Sequence, residues 1–443
     1  MNIVQLTPGA GGMFCGNCFH DNTLVAALRR MGHDVVMLPM YLPIRLDEAD
    51  QSAGMPVFFG GINVYLEQKF PFFRHAPRWL HRWMNSPRLL AWAAGRAART
   101  RAAEVGVLTL SMLRGEQGAQ DREITELITW LKTQSRPDIL CLSNALLIGM
   151  VRRVRGELGV PVVCLLQGEE PFLDALPEPH REPVGRELTA RAAEVDAWIA
   201  PSRWAADRMI ARLKLPPERV HVVYNGINLA GFGEPAPSAA RAAPPVLGYF
   251  ARMCREKGLD TLVEAFIELR RHGQVPNLKL RIGGGCGPGD EPFVNDVRTR
   301  LAGVNLLQDT SFHPNLSRAD KIAFLRDLTV FSVPALYGEV FGLYLIEAMA
   351  CGVPVVQPRH GAFPEVLEAT GGGVLCEAGN VSSLAGSIEQ LLLNPDRARS
   401  FGDAGRRAVR ERFDDGAMAR ATFAVLEKVV SAKSAIANRP SQS

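Results

Sequence analysis

Apolar runs of strand length alternate with amphipathic segments along the first half of the chain. The run "NIVQLTP" (2–8) is followed by the helical pattern "DNTLVAALRRMG" (21–32) and then by the run "DVVMLPMY" (34–41). Four further apolar runs continue the alternation, and these are "DILCLS", "VPVVCLLQ", "DAWIAPS" and "VHVVYNG". Continuous apolar strands between helices predict a parallel sheet that helices cover on both faces.

The alternation stops at "GEPAPSAARAAPP" (233–245), a stretch rich in proline and alanine that we interpret as an interdomain linker. It restarts with the strand "PVLGYFAR" and the helix "GLDTLVEAFIELRRHG", whose apolar residues recur on one face. The pattern therefore predicts two Rossmann-like, doubly wound α/β domains, at 1–232 and 246–415, which face each other across a cleft. Ligands of such sheets bind outside the carboxyl ends of the strands.

The C-terminal stretch divides into two parts. Residues 416–432, "GAMARATFAVLEKVVSA", have the periodicity of an amphipathic helix, which we expect to pack back on the N-terminal domain. Residues 433–443, "KSAIANRPSQS", are mostly polar, and we expect them to form a disordered tail.

Composition and charge limit which classes of protein this chain can belong to. The 443 residues are 47% hydrophobic and 22% charged, and the net charge of +4 is too small to predict nucleic acid as a partner. No apolar run reaches the about 18 residues of a membrane-spanning helix, and the N-terminus lacks a signal-peptide pattern. The eight cysteines are scattered. We therefore expect a cytoplasmic protein, which could also work at the inner face of the membrane.

Cys15 and Cys18 in "CGNC" are a closely spaced pair of cysteines. A redox pair or half of a zinc site would have this spacing, and so would two incidental thiols at the start of a helix. No second close pair follows, and His20 alone cannot complete a four-ligand site, so we favour incidental thiols. The sequence also contains no Asp-x-Asp, the acidic pair that could carry a magnesium diphosphate. We therefore predict no metal.

The stretch "YGEVFGLYLIEAMACGVPVV" places Glu339 just before a predicted helix and Glu347 inside it. If this helix begins near Phe341, the backbone amides of Phe341, Gly342 and Leu343 point out of its N-terminus, where anions bind. Glu347 suits a vicinal diol such as a ribose, and Glu339 suits the hydroxyls of another sugar. Together these features describe a nucleotide sugar. The alternative, from spacing alone, is a loop glutamate and a solvated helix glutamate.

The stretch "YFARMCREKG" places Arg252 just after the first strand of the second domain and Lys257 before the next helix. A guanidinium fork and an ammonium group directed at one point can bind a diphosphate. They would also stabilise the negative charge that develops as the diphosphate leaves.

The loop "PGAGGM" follows the first strand, and Gly11 and Gly12 would let backbone amides approach a donor phosphate. A dinucleotide-binding fingerprint is the competing interpretation. It fails because Phe14 occupies the place of the last glycine and because the strand "DVVMLPMY" lacks the acid that would bind a ribose.

The segments "YFARMCREKGLDTLVEAF", "PALYGEVFGLYLIEAMACGVPVV" and "GAFPEVL" resemble the retaining GT-B glycosyltransferases of family 4 in order and spacing, as do "YNGIN" and "ERFDDGAMA". The resemblance implies the GT-B fold and catalytic roles for Arg252, Lys257 and Glu339. Arg252 and Lys257 would bind the diphosphate of a UDP-, GDP- or ADP-sugar, Glu339 its sugar and Glu347 its ribose. The amides at 341–343 would contact sugar and phosphate. It also implies that neither a metal nor another cofactor is needed.

The first domain departs from this resemblance. Many relatives have His-Gly after the strand that corresponds to "VPVVCLL", whereas this chain has Gln167, Gly168, Glu169 and Glu170. Which of Gln167, Glu169 and Glu170 assists the reaction stays open. The domain is also weakly similar to bacterial glycogen and starch synthases, but Gly9 stands at their lysine position.

Residues 69–104 form a basic, aromatic stretch without aspartate or glutamate between Glu67 and Glu104. Such a helical insert could bind an anionic membrane and reach a lipid-linked acceptor, or it could pack its tryptophans inward and leave its arginines solvated.

We expect a retaining glycosyltransferase that moves a sugar to a glycan, lipid-linked or small-molecule acceptor bound by residues 1–232. A glycogen- or starch-synthase-like glucosyltransferase, a nucleotide-sugar epimerase and a non-catalytic sensor are the alternatives.

Overall fold

The computed structural model describes residues 1–9, 16–42, 44, 46–59, 102–134, 136–233 and 244–437. The chain forms two compact units. The first comprises Met1–Tyr224 and the chain from Met418 onward, and the second comprises Asn225–Ala417. The second unit thus begins upstream of the predicted linker at 233–245, most of which lies outside the described residues.

The described part of the first unit contains six strands and seven helices of the α type, apart from the C-terminal helix. The strands are β1 (Asn2–Pro8), β2 (Asp34–Met40), β3 (Ile139–Leu142), β4 (Val162–Leu165), β5 (Ala197–Ala200) and β6 (Val220–Val222). The helices are α1 (Gly16–Arg30), α2 (Ala102–Arg114), α3 (Asp121–Thr133), α4 (Val151–Leu158), α5 (Glu170–Asp174), α6 (Arg181–Ala192) and α7 (Arg203–Leu213).

The first sheet is parallel throughout, with the strand order β2-β1-β3-β4-β5-β6. Its central strands have no solvated face, since every residue of β3, β4 and β5 is buried. This burial explains why their sequences are continuously apolar rather than alternating.

The described part of the second unit contains a second set of strands and helices. The strands are β7 (Val246–Phe250), β8 (Lys279–Gly284), β9 (Thr310–Pro314), β10 (Val330–Phe331), β11 (Val355–Pro358) and β12 (Gly373–Cys376). The helices are α8 (Leu259–His272), α9 (Glu291–Gly303), α10 (Arg318–Arg326), α11 (Leu343–Ala350), α12 (Phe363–Thr370), α13 (Val381–Leu393) and α14 (Pro395–Arg412).

The second sheet is also parallel, with the order β12-β11-β10-β7-β8-β9. The chain therefore builds outward from β7 through β8 to β9, then returns to the other side of β7 with β10. The strand order reverses between β7 and β10, and ligands of doubly wound sheets bind at the carboxyl ends of the strands at such a reversal. The predicted α/β class with two doubly wound parallel sheets is confirmed.

The last helix, α15 (Asp415–Ala437), begins in the second unit and continues into the first. Its residues Met418, Ala419 and Leu426 are buried in one cluster with Ile3 of β1 and Val25 of α1. The helix extends into the predicted disordered tail, because "KSAIA" contains neither proline nor glycine and favours helix.

Candidate active site

The residues singled out in the second unit lie in the loops at the strand-order reversal. Arg252 and Lys257 follow β7, and Glu339 follows β10. Since β7 and β10 are hydrogen-bonded neighbours, with Phe331 opposite Gly248, their carboxyl ends bring these loops together. The sheet order therefore joins side chains that are far apart along the chain.

Lys257 and Glu339 form the centre of the site. The ammonium of Lys257 contacts Oε2 of Glu339 as an ion pair and lies 5.0 Å from the ring centroid of Tyr337 and 5.6 Å from that of Tyr344. The hydroxyl of Tyr344 donates to the same Oε2 at 3.0 Å, and that of Tyr337 is 3.5 Å away. One carboxylate oxygen thus accepts from a cation and from the hydroxyls of two flanking tyrosines.

The charges in this cluster are shielded from water. The Lys257 and Glu339 side chains are 20% and 11% exposed. Burial alone would lower the pKa of Lys257, but the adjacent Glu339 carboxylate outweighs it and holds that pKa above its ordinary value. Burial, followed by the charge of Glu339, raises the pKa of the Tyr337 hydroxyl to about 12. Lys257 is therefore a cation and both tyrosines are hydroxyl donors at neutral pH.

Two glycines allow the loops to approach this closely. Gly258, next to Lys257, has φ of +71°, and a Cβ there would lie 1.9 Å from the carbonyl oxygen of Pro334. Gly361 has φ of +61°, and a Cβ there would lie 2.6 Å from the backbone nitrogen of Glu339. The amide of Ala362 donates to the Glu339 carbonyl at 2.8 Å. Any larger residue at these glycines would displace the loops that present the site.

Helix α11 begins at Leu343, slightly later than the sequence suggested. Gly342 is its N-cap residue with φ of 86°, a conformation that side-chain-bearing residues rarely adopt. Phe341 lies before the cap with its side chain buried, and its ring centroid lies 6.0 Å from that of Phe413. The helical hydrogen bonds of α11 begin with the amide of Leu345, which donates to the carbonyl of Gly342. The amides of Leu343 and Tyr344 come before these bonds and are the free amides of the helix start.

Glu347 lies within α11 and pairs with a lysine that sequence reasoning did not identify. Lys321 of α10 donates to Oε1 of Glu347 at 2.8 Å, and the two side chains are 10% and 16% exposed. This ion pair fixes the orientation of the Glu347 carboxylate.

Arg252 is the most exposed member of the set, with 62% of its side chain accessible. Asp290 accepts from its Nη2 at 2.8 Å and from its Nε at 3.0 Å. These hydrogen bonds raise the pKa of the guanidinium further. Asp290 is the N-cap residue of α9 and ends the glycine-rich stretch "GGGCGPGD" (283–290).

In the first unit, Gly11, Gly12 and Cys15 lie outside the described residues. Cys18 is buried and donates to the carbonyl of Pro8. Among the described residues, no group of three or more His, Cys, Asp or Glu is placed to hold a metal ion, and no helix is long and apolar enough to span a membrane. Most of the basic stretch at 69–104 also lies outside the described part of the chain.

Glu169 and Glu170 have structural partners. Buried Glu169 accepts from the amides of Ala145 at 2.8 Å and Gln167 at 3.2 Å, and burial raises the pKa of its carboxyl. Glu170 pairs with Arg208 at 3.0 Å. Glu169 thus joins the loops after β3 and β4 rather than facing solvent.

A buried histidine beside Gln167 was missed as a functional candidate. Nδ1 of His20 lies 3.0 Å from both Gln167 Nε2 and Asp21 Oδ1, and Thr7 donates to Asp21 at 2.8 Å. Because a carboxylate only accepts, the contact with Asp21 is made by the tautomer of His20 that carries a proton on Nδ1. The chain thus places an imidazole beside Gln167.

Two family models match the chain. "Glycosyl transferases group 1" matches residues 234–408, and "Glycosyltransferase Family 4" matches residues 108–230. Alpha-maltose-1-phosphate synthase of Mycolicibacterium smegmatis is 31% identical over 252 residues, which are 53% of this chain and 63% of that protein. A D-inositol 3-phosphate glycosyltransferase of Saccharomonospora viridis is 30% identical over 250 residues, covering 54% of this chain and 56% of that protein. The chain thus spans less than two thirds of the length of these relatives.

Solved structures show the same fold. Sucrose-phosphate synthase from Thermosynechococcus elongatus superposes with a TM-score of 0.68 at 19% identity, covering 98% of this chain and 100% of that one. The Anabaena protein HepE, in complex with UDP and glucose, gives 0.68 at 17% identity, covering 97% and 100%. Together with the two parallel sheets and the two family models, these likenesses show that the chain belongs to the group 1, family 4 type of GT-B glycosyltransferases.

Proposed function

We propose that this protein is a retaining glycosyltransferase, which moves a sugar from a nucleoside diphosphate sugar to a glycan, lipid-linked or small-molecule acceptor without a metal. The observation that carries the proposal is the convergence of Lys257 and Glu339 at the strand-order reversal of the second sheet. There Lys257 contacts the carboxylate that we assign to the donor sugar, and this Glu339 lies four residues before the start of α11 at Leu343.

The arrangement supplies what departure of a diphosphate requires. Lys257 and Arg252 provide positive charge for the leaving phosphates, and the N-terminus of α11 adds the positive end of its dipole. Glu339 and Glu347 provide acceptors for sugar and ribose hydroxyls. In a front-face retaining reaction the departing diphosphate takes the proton of the acceptor hydroxyl, so no side chain has to serve as the base. Positioning and charge stabilisation then provide the catalysis.

The relatives support a nucleotide-sugar donor. HepE of Anabaena was solved with UDP and with UDP-glucose, and these structures cover 97% of this chain. We infer that this chain takes a donor of the same chemical class, with UDP, GDP and ADP as the bases to test. The first unit would bind the acceptor, and any membrane contact through residues 69–104 is a separate hypothesis.

A thermal-shift screen of the full chain with UDP, GDP, ADP and NAD tests the donor site. A ligand at one hundred times its dissociation constant stabilises by about 2.7 kcal/mol, so binding is readily measured. We expect one nucleoside diphosphate to stabilise the protein and Glu347→Ala to lose most of that shift. Stabilisation by NAD alone would overturn the proposal.

Incubation of the matching nucleotide sugar with candidate acceptors then separates the alternatives. Transfer with the anomeric configuration kept supports the proposal. Release of nucleoside diphosphate that continues without any acceptor, with a changed sugar, would indicate the epimerase. Binding without turnover under any acceptor would indicate the sensor.

A further inference from the structure

The diphosphate-binding cations are already paired in the free protein. Lys257 contacts Glu339, and Arg252 forms a two-point ion pair with Asp290. A diphosphate that enters the site therefore competes with a protein carboxylate for each cation. The free energy lost in each competition depends on how firmly the carboxylate is held.

The two pairs differ in exposure. The Arg252 guanidinium is 62% exposed, so water can hydrate it when it leaves Asp290, and the buried Asp290 carboxylate keeps the amide of Gly287 as a donor at 3.0 Å. Lys257 and Glu339 are mostly shielded, and the rings of Tyr337 and Tyr344 flank the ammonium. Drawing Lys257 away from Glu339 leaves a poorly hydrated carboxylate with fewer donors, which is unfavourable.

The two oxygens of Glu339 have different environments. Oε2 takes Lys257 and both tyrosine hydroxyls. Oε1 accepts no hydrogen bond from the described residues and is not among the fully buried unpartnered atoms. Oε1 is thus the oxygen that remains for a ligand, while the tyrosines hold Oε2 in place when Lys257 turns to a phosphate.

We propose that the Lys257–Glu339 pair makes the site discriminate a nucleotide sugar from the bare nucleoside diphosphate, and that Tyr344 is the positioning residue that holds Glu339 for the sugar. This inference rests on the proposed function. A bare diphosphate removes a donor from Glu339 and returns none. A nucleotide sugar also engages Lys257, but its sugar hydroxyls donate to Glu339 in exchange. The product diphosphate therefore binds more weakly than the cations alone would allow, which speeds its release.

Calorimetric titration of the full chain with UDP, GDP and ADP and with UDP-glucose, GDP-mannose and ADP-glucose tests this exchange. Glu339→Gln frees Lys257, so the bare diphosphate should bind about tenfold tighter, equivalent to about 1.4 kcal/mol. The sugar conjugate of the same base should gain nothing or lose affinity. Glu411→Gln removes the same charge from an exposed position of α14 and should change neither affinity.

Tyr344→Phe provides a second test that keeps the ion pair. The affinity for the sugar conjugate should fall about fivefold, and the affinity for the bare diphosphate should stay within about twofold of wild type. A merely structural role would weaken both ligands equally.

The outcomes separate this inference from the proposed function. If wild type binds a diphosphate but Glu339→Gln does not tighten it, the exchange is wrong and the donor site stands. If Tyr344→Phe lowers both affinities together, its positioning role is wrong. If wild type binds none of the six ligands, the proposed function falls, and this inference with it.

Discussion

Replacing Gly361 by alanine should lower the stability of the second unit and weaken ligand binding at its proposed donor site. Gly361 has φ of +61°, and a Cβ there would lie 2.6 Å from the nitrogen and 2.8 Å from the oxygen of Glu339. The left-handed conformation alone costs an alanine about 1–2 kcal/mol. Relieving the contact by moving the Glu339 backbone adds about 1–3 kcal/mol, as overpacking generally does. We therefore expect a total loss of about 2–5 kcal/mol.

Gly371 provides a matched control. Its φ is +60°, and the nearest atom to an added Cβ is the Cβ of Ala404 at 3.6 Å, an ordinary contact. Gly371→Ala should therefore lose only the conformational part, about 1–2 kcal/mol. The difference between the two variants isolates the contact with the Glu339 loop.

Urea unfolding followed by circular dichroism at 222 nm measures these losses. All six tryptophans lie before Tyr224, so tryptophan emission reports the first unit and serves as an internal control. We expect Gly361→Ala also to weaken nucleotide-sugar binding, and Gly371→Ala to retain it. Equal losses of stability in the two variants, or undiminished binding by Gly361→Ala, would refute the reasoning that Gly361 shapes the Glu339 loop.

Three further predictions concern buried polar groups. Lys321→Met leaves the Glu347 carboxylate without its cation. Breaking a buried ion pair costs about 3–5 kcal/mol, so the free energy of unfolding measured in urea should fall by about 3 kcal/mol or less. The double variant Lys321→Met with Glu347→Leu should recover part of this loss. A double-mutant coupling under about 0.5 kcal/mol would contradict this. Thr7→Val, which keeps side-chain shape, should destabilise the first unit by about 1–3 kcal/mol, since it removes the hydroxyl that donates to Asp21; an unchanged tryptophan-monitored midpoint would contradict it. Burial raises the pKa of Glu169, so the folded state binds the proton of this carboxyl more tightly than the unfolded state does. The contribution of Glu169 to the free energy of unfolding therefore falls as pH rises above the unfolded pKa of about 4.3. Glu169→Gln should flatten that fall in tryptophan-monitored unfolding, and an unchanged pH slope would show that Glu169 is not its source.

The order of strands was not readable from the sequence. Alternating apolar runs and helices predict two parallel sheets, because burial of a strand on both faces requires a continuously apolar stretch. The same alternation is compatible with several strand orders. That β10 lies beside β7 is decided by how the crossover helices pack, and this pairing brings together the loops that carry Lys257 and Glu339.

The sequence was sufficient to propose the candidate residues, but it did not indicate their partners. Lys257 and Glu339 could be proposed from residue type and local spacing, since cations bind phosphates and carboxylates bind hydroxyls. Their mutual ion pair joins residues 82 positions apart, and His20 lies against Gln167 across 147 positions. No local pattern encodes such pairs, so they appear only when the sheet is assembled.

The sequence by itself determined the fold class, the family resemblance and the residue types of the proposed donor site, because these depend on local periodicity and on short motifs. Only the tertiary structure decided that Glu169 joins two loops, that Lys321 holds Glu347, and that two tyrosines hold Glu339. Hydrogen bonds and shielding from water depend on which segments meet in space. They are set by long-range packing, and that packing decides whether a charged residue is solvated or positioned for chemistry.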